Sequence, residues 1–146
     1  MTPTRLTAGL AVLFGLISLW LTLRMGDSEV MRQPAMMAFV VGECLWILSP
    51  YVVLLAAARF GKFRTVTWGA PTVLIIIGFY GNVAYADVNF HFWSKSDAQE
   101  ALIFLAMPFV QNVVAVGSMG VLFAIGFWLG RKKEKGADRS AHSSEQ

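Results

Sequence analysis

One carboxylic acid, Glu43, lies within the almost wholly apolar row AMMAFVVGECLWILSPYVVLLAAARF. Three amides, Asn82, Gln111 and Asn112, occur in two other apolar stretches of the chain. A charged side chain at the centre of a bilayer costs about 2.5 to 3.5 kcal/mol on insertion scales, so acids inside membrane helices usually pair with polar groups or face a cavity. These four residues are therefore the predicted binding or polar-layer residues.

The sequence leaves two roles open for Glu43. In the first, the neutral acid donates a hydrogen bond to an amide of a neighbouring helix, which stabilises a membrane bundle by about 0.6 to 2 kcal/mol and tolerates Glu43→Gln. In the second, the acid lines a polar cavity open to the outside and binds a cation, a proton or a polar group of a partner. Ion and proton paths usually need several titratable groups, whereas no second acid, Lys, Arg or His lies within the apolar stretches.

Residues for catalysis or metal binding are sparse. The chain contains neither G-x-S-x-G, H-E-x-x-H nor a glycine-rich phosphate loop. Asp87 and His91 supply two metal ligands, whereas zinc takes three or four. The single cysteine, Cys44, excludes an intramolecular disulfide. We therefore expect no catalytic residue, no metal and no cofactor, and a protein that is not an enzyme.

Four apolar runs must position the polar residues, and they cover about 6–23, 36–58, 66–86 and 101–129. Each run is near or above the 18 residues that indicate a transmembrane helix. The composition agrees, because 14% of the residues are charged, whereas soluble domains average about 25%. We predict an all-α polytopic membrane protein, with four transmembrane helices in an antiparallel bundle over residues 1–130 and a basic, disordered tail at 131–146.

A basic residue, Arg5, precedes the first run, which is also the arrangement of a secretory signal peptide. The run is longer than the 7 to 15 apolar residues usual in a signal peptide, and no A-x-A-like cleavage site follows before LRMGDSEV. We therefore expect an uncleaved anchor helix.

The Lys and Arg residues outside the runs predict orientation, because short cytoplasmic loops carry an excess of both. Three of the 12 lie in the first and third connections, namely Arg24, Arg32 and Lys95. The other nine lie in the N-terminal segment, the second connection and the tail: Arg5, Arg59, Lys62, Arg64, Arg131, Lys132, Lys133, Lys135 and Arg139. This distribution predicts a bacterial inner-membrane protein with both termini in the cytoplasm. The net charge of +3 then reflects topology rather than binding of nucleic acid.

Helix-breaking and small residues add local detail. Pro50 and Pro108 are each expected to remove a backbone hydrogen bond and kink a helix, and Ser49 can satisfy a carbonyl that Pro50 leaves free. In the segment GFWLG, Gly126 and Gly130 have the G-x-x-x-G spacing, which permits close approach of helices and predicts a packing face or an oligomer contact.

The stretch SDAQEALIFLAMPFVQNVV, an apolar run followed by Pro108 and then Gln111, is similar to the last helix of small four-helix bacterial inner-membrane proteins. Some of these are immunity proteins, which guard a cell against a membrane-targeting toxin from its siblings. The resemblance implies a non-enzymatic protein that binds a membrane-acting partner in the lipid bilayer, such as a pore-forming toxin. The alternative is a small transporter or channel subunit that uses Glu43 in a polar layer of the external half of the membrane.

Overall fold

The computed structural model describes residues 2–24, 34–91 and 100–143. These residues form four helices: α1 (Pro3–Arg24), α2 (Pro34–Phe60), α3 (Arg64–Phe90) and α4 (Glu100–Ser143). Ser96 and Gln99 have the sequence spacing of a capping box that would begin the fourth helix, but both lie outside the described residues. The prediction of an all-α bundle of four helices is confirmed.

All four helices are long and apolar enough to span a membrane, over Pro3–Arg24, Met37–Phe60, Arg64–Phe90 and Leu102–Lys132. Large hydrophobic side chains such as Leu16, Val52, Ile76 and Val116 cover the outside of the bundle and are mostly exposed. An outer surface of this kind is stable in hydrocarbon and is not expected on a soluble monomer. The chain is therefore a multi-pass membrane protein.

The helices alternate in direction, and α1 and α4 each pack against both α2 and α3. The Thr4 hydroxyl at the start of α1 donates to the carbonyl oxygen of Ala58 at the end of α2. Thr65 at the start of α3 donates to the carbonyl oxygen of Leu122 in the second half of α4. One end of the bundle, which we call the basic end, thus collects the cations Arg5, Arg59, Lys62, Arg64, Arg131 and Lys132. Whether this end faces the cytoplasm stays a prediction.

Small side chains let the helices approach closely. The buried residues of α1 recur every three or four positions and are mostly small: Thr7, Ala11, Gly15, Ser18, Leu21 and Thr22. On α3, a Cβ atom added to Gly78 would lie 2.6 Å from the Phe14 ring, so the contact between α1 and α3 requires glycine. Contacts of this kind drive helix association in membranes, where lipid competes with any apolar side chain.

The first glycine of the predicted G-x-x-x-G face, Gly126, packs against another helix of the same chain. A Cβ atom added to the buried Gly126 would lie 2.6 Å from Thr65 Oγ1 and 2.7 Å from Phe63 Cβ. Gly126 thus contacts α3, while a Cβ atom at Gly130 would have no neighbour within 4 Å. Gly126 is therefore a packing residue within the bundle, and the oligomer contact of the Gly126 and Gly130 pair stays a prediction.

The fourth helix continues to Ser143, whereas the sequence predicts a disordered tail from residue 131. The segment RKKEKGADRSAHS is rich in Arg, Lys, Glu and Ala, which are strong helix formers, and extending an existing helix avoids the cost of nucleation. Its polarity ends the apolar run without ending the helix. The division of the chain into a membrane domain and a tail at residue 130 stays a prediction.

Candidate functional site: a polar layer inside the bundle

Two apolar clusters fill the bundle, and polar side chains lie between them. The larger cluster occupies the half near the basic end and includes Leu54, Leu74 and Met119. The smaller cluster lies toward the opposite end and consists of Leu21, Ile47, Tyr85, Val88 and Phe104. Ser18, Asn82 and Gln111 lie where these clusters meet, beside Tyr51 of the larger cluster and Tyr85 of the smaller one. We call these five residues the polar layer.

Ser18 is the centre of the hydrogen bonding in this layer. Its hydroxyl donates to Asn82 Oδ1 and is also 2.9 Å from the Tyr51 hydroxyl. A serine hydroxyl carries one proton, so the Tyr51 hydroxyl is the donor in the second bond. Asn82 Nδ2 in turn donates to the carbonyl oxygen of Phe14 over 3.4 Å. One small side chain of α1 thereby links α2 and α3.

Gln111 joins α4 to the layer. Its Nε2 donates to the carbonyl oxygen of Ile77 over 2.8 Å, and only 2% of its surface is exposed. A Cβ atom at Gly81 would overlap Nε2 of Gln111, so the absence of a side chain at Gly81 makes room for the amide. Oε1 of Gln111 has no hydrogen-bond partner among the described residues.

The hydroxyl of Tyr85 is the second buried polar atom without a partner among the described residues. The Tyr85 ring is fully buried and stacks on Phe104, with ring centroids 5.0 Å apart. A buried polar group left without a hydrogen bond costs about 1 to 3 kcal/mol. The layer therefore offers both a hydroxyl and an amide oxygen to a further hydrogen-bonding group.

Glu43 lies near the layer, on the face of α2 that contacts the other helices. It precedes the buried Ile47, Tyr51 and Leu54 by four, eight and eleven positions, which is the spacing of one helix face. It is partly buried. Within the described part of the chain, no hydrogen bond or ion pair engages the Glu43 carboxylate.

A separate polar contact joins α2 to α4 beside Pro50. Ser49 Oγ donates over 2.6 Å to the carbonyl oxygen of Trp46, which is the carbonyl that Pro50 deprives of its usual partner. The predicted role of Ser49 is thus confirmed. Asn112 Nδ2 donates to Ser49 Oγ over 2.6 Å, so this asparagine bonds beside Pro50 rather than in the polar layer.

The four residues singled out from the sequence therefore separate. Asn82 and Gln111 lie in the polar layer, Asn112 bonds with Ser49, and Glu43 lies near the layer. The hydrogen bond expected between Glu43 and an amide is not formed, because each amide has nearer acceptors on other helices. Whether the four residues bind a ligand stays a prediction.

Sequence reasoning missed Ser18, Tyr51 and Tyr85. A signal for Ser18 exists, since it lies on the small-residue stripe of α1. A signal for Tyr51 exists as well, because tyrosine in membrane helices favours the interfaces, whereas Tyr51 lies nine residues before the end of α2. Both signals are common in membrane helices and become informative only when the packing is known.

The arrangement can bind hydrogen-bonding or cationic groups, and it holds no activated nucleophile among the described residues. In that part of the chain, no group of three or more His, Cys, Asp or Glu side chains could hold a metal ion. Comparison with family models, with curated proteins and with solved structures finds no match to this chain. The function must therefore be argued from its own side chains.

Proposed function

We propose that this chain is a non-enzymatic protein of the bacterial inner membrane that binds a membrane-acting partner and protects the cell from it. An immunity protein that occludes a pore-forming toxin within the bilayer is the specific form of this proposal. Three polar groups that have no hydrogen-bond or ion-pair partner among the described residues support it: the Glu43 carboxylate, the Tyr85 hydroxyl and Oε1 of Gln111.

Glu43 is the observation that carries the proposal. It is a carboxylate on the bundle-facing side of α2, partly exposed and without a polar partner in the described part of the chain. An unpaired acid at membrane depth is costly. A Lys, Arg or amide group from a partner helix would offset that cost. The Glu43 carboxylate would then pair specifically with a partner helix that carries such a group at the same depth.

The outer surface of α4 supports a partner helix as well. Exposed apolar side chains occur along the span of α4, among them Phe109, Val113, Val116 and Val121. Lipid is their default neighbour, but a toxin helix of matching length would fit the same surface. Association would then depend on the polar contact for its specificity, because hydrocarbon side chains alone gain little over lipid.

The alternative is a small transporter or channel subunit, and one observation favours it: the polar layer contains two buried polar atoms without a hydrogen-bond partner among the described residues. The larger apolar cluster argues against a continuous path, because Leu54, Ala70, Leu74 and Ala115 are fully buried between the polar layer and the basic end. A conducting path would require these residues to separate. Binding without transport therefore fits the packing better.

Protection is tested in susceptible cells that produce the full chain and are challenged with pore-forming toxins of sibling strains. A voltage-sensitive dye reports the membrane potential, and immunoblotting of the membrane fraction reports the amount of inserted protein. We expect the potential to persist with the matched toxin and to collapse in cells with Glu43→Gln at equal protein amounts. Ser118→Ala, in the half of α4 that lies toward the basic end, is the matched control. Depolarisation by every toxin, with wild-type protein fully inserted, would refute protection.

The transport alternative is tested on purified protein in sealed liposomes that contain a pH-sensitive dye, with an imposed proton or sodium gradient. The proposal expects no flux above that of empty liposomes. Flux that is present in wild-type protein and absent in Glu43→Gln would replace the binding proposal by the transport one.

A further inference from the structure

A groove of about 650 Å³ lies at the basic end, between the first turns of α3 and the last apolar turns of α4. Two cationic side chains, Arg64 and Lys132, line it together with the apolar surfaces of Phe63, Trp68 and Leu129. Its described lining contains no acidic side chain. The groove thus combines positive charge with an apolar wall.

Two glycines of α4 explain why the groove exists. Gly126 presses against Thr65 and Phe63 and brings α4 onto the start of α3. Gly130, one turn later, also lines the groove, and a Cβ atom there would meet nothing within 4 Å. The helices therefore touch at Gly126 and leave a space beside Gly130 that no described side chain of α4 fills.

The positive charge is held at the level of the membrane surface. Lys132 Nζ lies 3.7 Å from the centroid of the Trp128 ring, which restricts where the ammonium group can go. Arg64 is the first residue of α3, one turn before Trp68. Trp side chains favour the headgroup level of a bilayer, so we expect both cations at the level of the lipid phosphate groups.

We propose that this groove binds one anionic phospholipid, with its phosphate at Arg64 and Lys132 and an acyl chain along Trp68 and Leu129. Charge complementarity selects an anion, since the described lining carries two cations and no acid. The apolar wall and the exposed position at the end of two spanning helices select a lipid over a soluble phosphate. The guanidinium of Arg64 suits a phosphodiester, because its N–H groups can donate two parallel hydrogen bonds.

Lipid selectivity tests the proposal in liposomes of phosphatidylcholine that contain the full chain. Spin-labelled phosphatidylglycerol and spin-labelled phosphatidylcholine are compared by the fraction of label that the protein immobilises. We expect a preference for phosphatidylglycerol that falls about fivefold for each cation removed, the value expected from the attraction of one Lys or Arg to an anionic surface. The double variant Arg64→Gln/Lys132→Gln should abolish the preference.

Two matched controls separate a site from diffuse attraction. Arg5→Gln/Arg59→Gln removes two exposed cations from the same end without touching the groove, and should keep the preference. Gly130→Leu fills the groove without removing charge, and should abolish the preference. Gly120→Leu makes the same change at another exposed glycine of α4 with open space around it, and should leave the preference intact.

An equal loss of the phosphatidylglycerol preference in Arg64→Gln/Lys132→Gln and in Arg5→Gln/Arg59→Gln would overturn the proposal in favour of diffuse attraction. Retention of the preference in Gly130→Leu would overturn it as well, and this variant keeps the test valid even when the charge variants fail to fold. A third measurement adds glycerol phosphate in excess. Displacement of the spin-labelled lipid by this soluble anion would show a phosphate site that needs no acyl chain and would contradict a lipid site.

Discussion

The hydroxyl of Ser18 donates a hydrogen bond to Oδ1 of Asn82 over 2.9 Å, deep inside the bundle. This bond joins α1 to α3, and the Tyr51 hydroxyl adds α2 by donating to the same oxygen of Ser18. A side chain of two heavy atoms thus holds three membrane helices at one level. The apolar clusters on both sides exclude competing polar groups, so the loss of the Ser18 hydroxyl should weaken the packing of all three helices.

The first prediction is that Ser18→Ala destabilises the bundle by about 1 to 3 kcal/mol, because it leaves both Asn82 Oδ1 and the Tyr51 hydroxyl buried without their partner. Tyr51→Phe removes only one of the two bonds and should cost less. Unfolding of purified protein in mixed micelles, as SDS is increased, measures the difference. Ser118→Ala has no such bond to lose and serves as control; equal stability of Ser18→Ala and Ser118→Ala would contradict the central role of Ser18.

The second prediction concerns Gly81 and Gln111. Gly81→Ala places a methyl group on the Gln111 amide, and overpacking of this kind costs about 1 to 3 kcal/mol. Gln111→Ala in the same chain frees the space, so the double variant should be more stable than the sum of the single effects predicts. The same SDS titration measures all three variants. Gly117→Ala, where the added methyl group meets open space, should be neutral, and strict additivity of Gly81→Ala and Gln111→Ala would rule out the contact.

The third prediction is that both Glu43→Gln and Glu43→Leu insert and fold at wild-type levels. If Glu43 held the amides by hydrogen bonds, leucine would leave them without a partner, but Asn82, Gln111 and Asn112 bond elsewhere. The Glu43 side chain therefore makes no hydrogen bond to the described residues that leucine would remove. Binding or protection should be lost in both variants, because the unpaired carboxylate is the proposed contact. Membrane-fraction immunoblots and the potential assay give the two readouts. Loss of protein in Glu43→Leu alone would restore the hydrogen-bonding role.

The fourth prediction concerns orientation. In a Cys44→Ala background, a membrane-impermeant thiol reagent should label Lys95→Cys in intact cells, because the third connection carries one basic residue and is predicted to be external. Lys62→Cys, at the basic end, should be labelled only after permeabilisation. Labelling of Lys62→Cys in intact cells would reverse the orientation of the whole bundle, since the helices alternate in direction.

Some features of this protein follow from local sequence. The four spans are set by the length of apolar runs, since each backbone hydrogen bond in lipid must be made within a helix. The bond from Ser49 to the carbonyl of Trp46 is also local, because the carbonyl that Pro50 leaves free always lies four residues earlier. Such features require no knowledge of the neighbouring helices. The sequence therefore correctly predicts the four-helix architecture and the bond from Ser49.

The partners of the polar groups were decided by the tertiary structure alone. Asn82 and Gln111 bond to Ser18 and to the carbonyl of Ile77, and not to Glu43, because the rotation of each helix about its axis sets which side chains meet. That rotation depends on close contacts between helices, such as Gly78 against Phe14 and Gly126 against Thr65. Depth can be counted along one helix, whereas rotation is a property of the packed set, so the unpaired state of Glu43 emerged only from the assembled bundle.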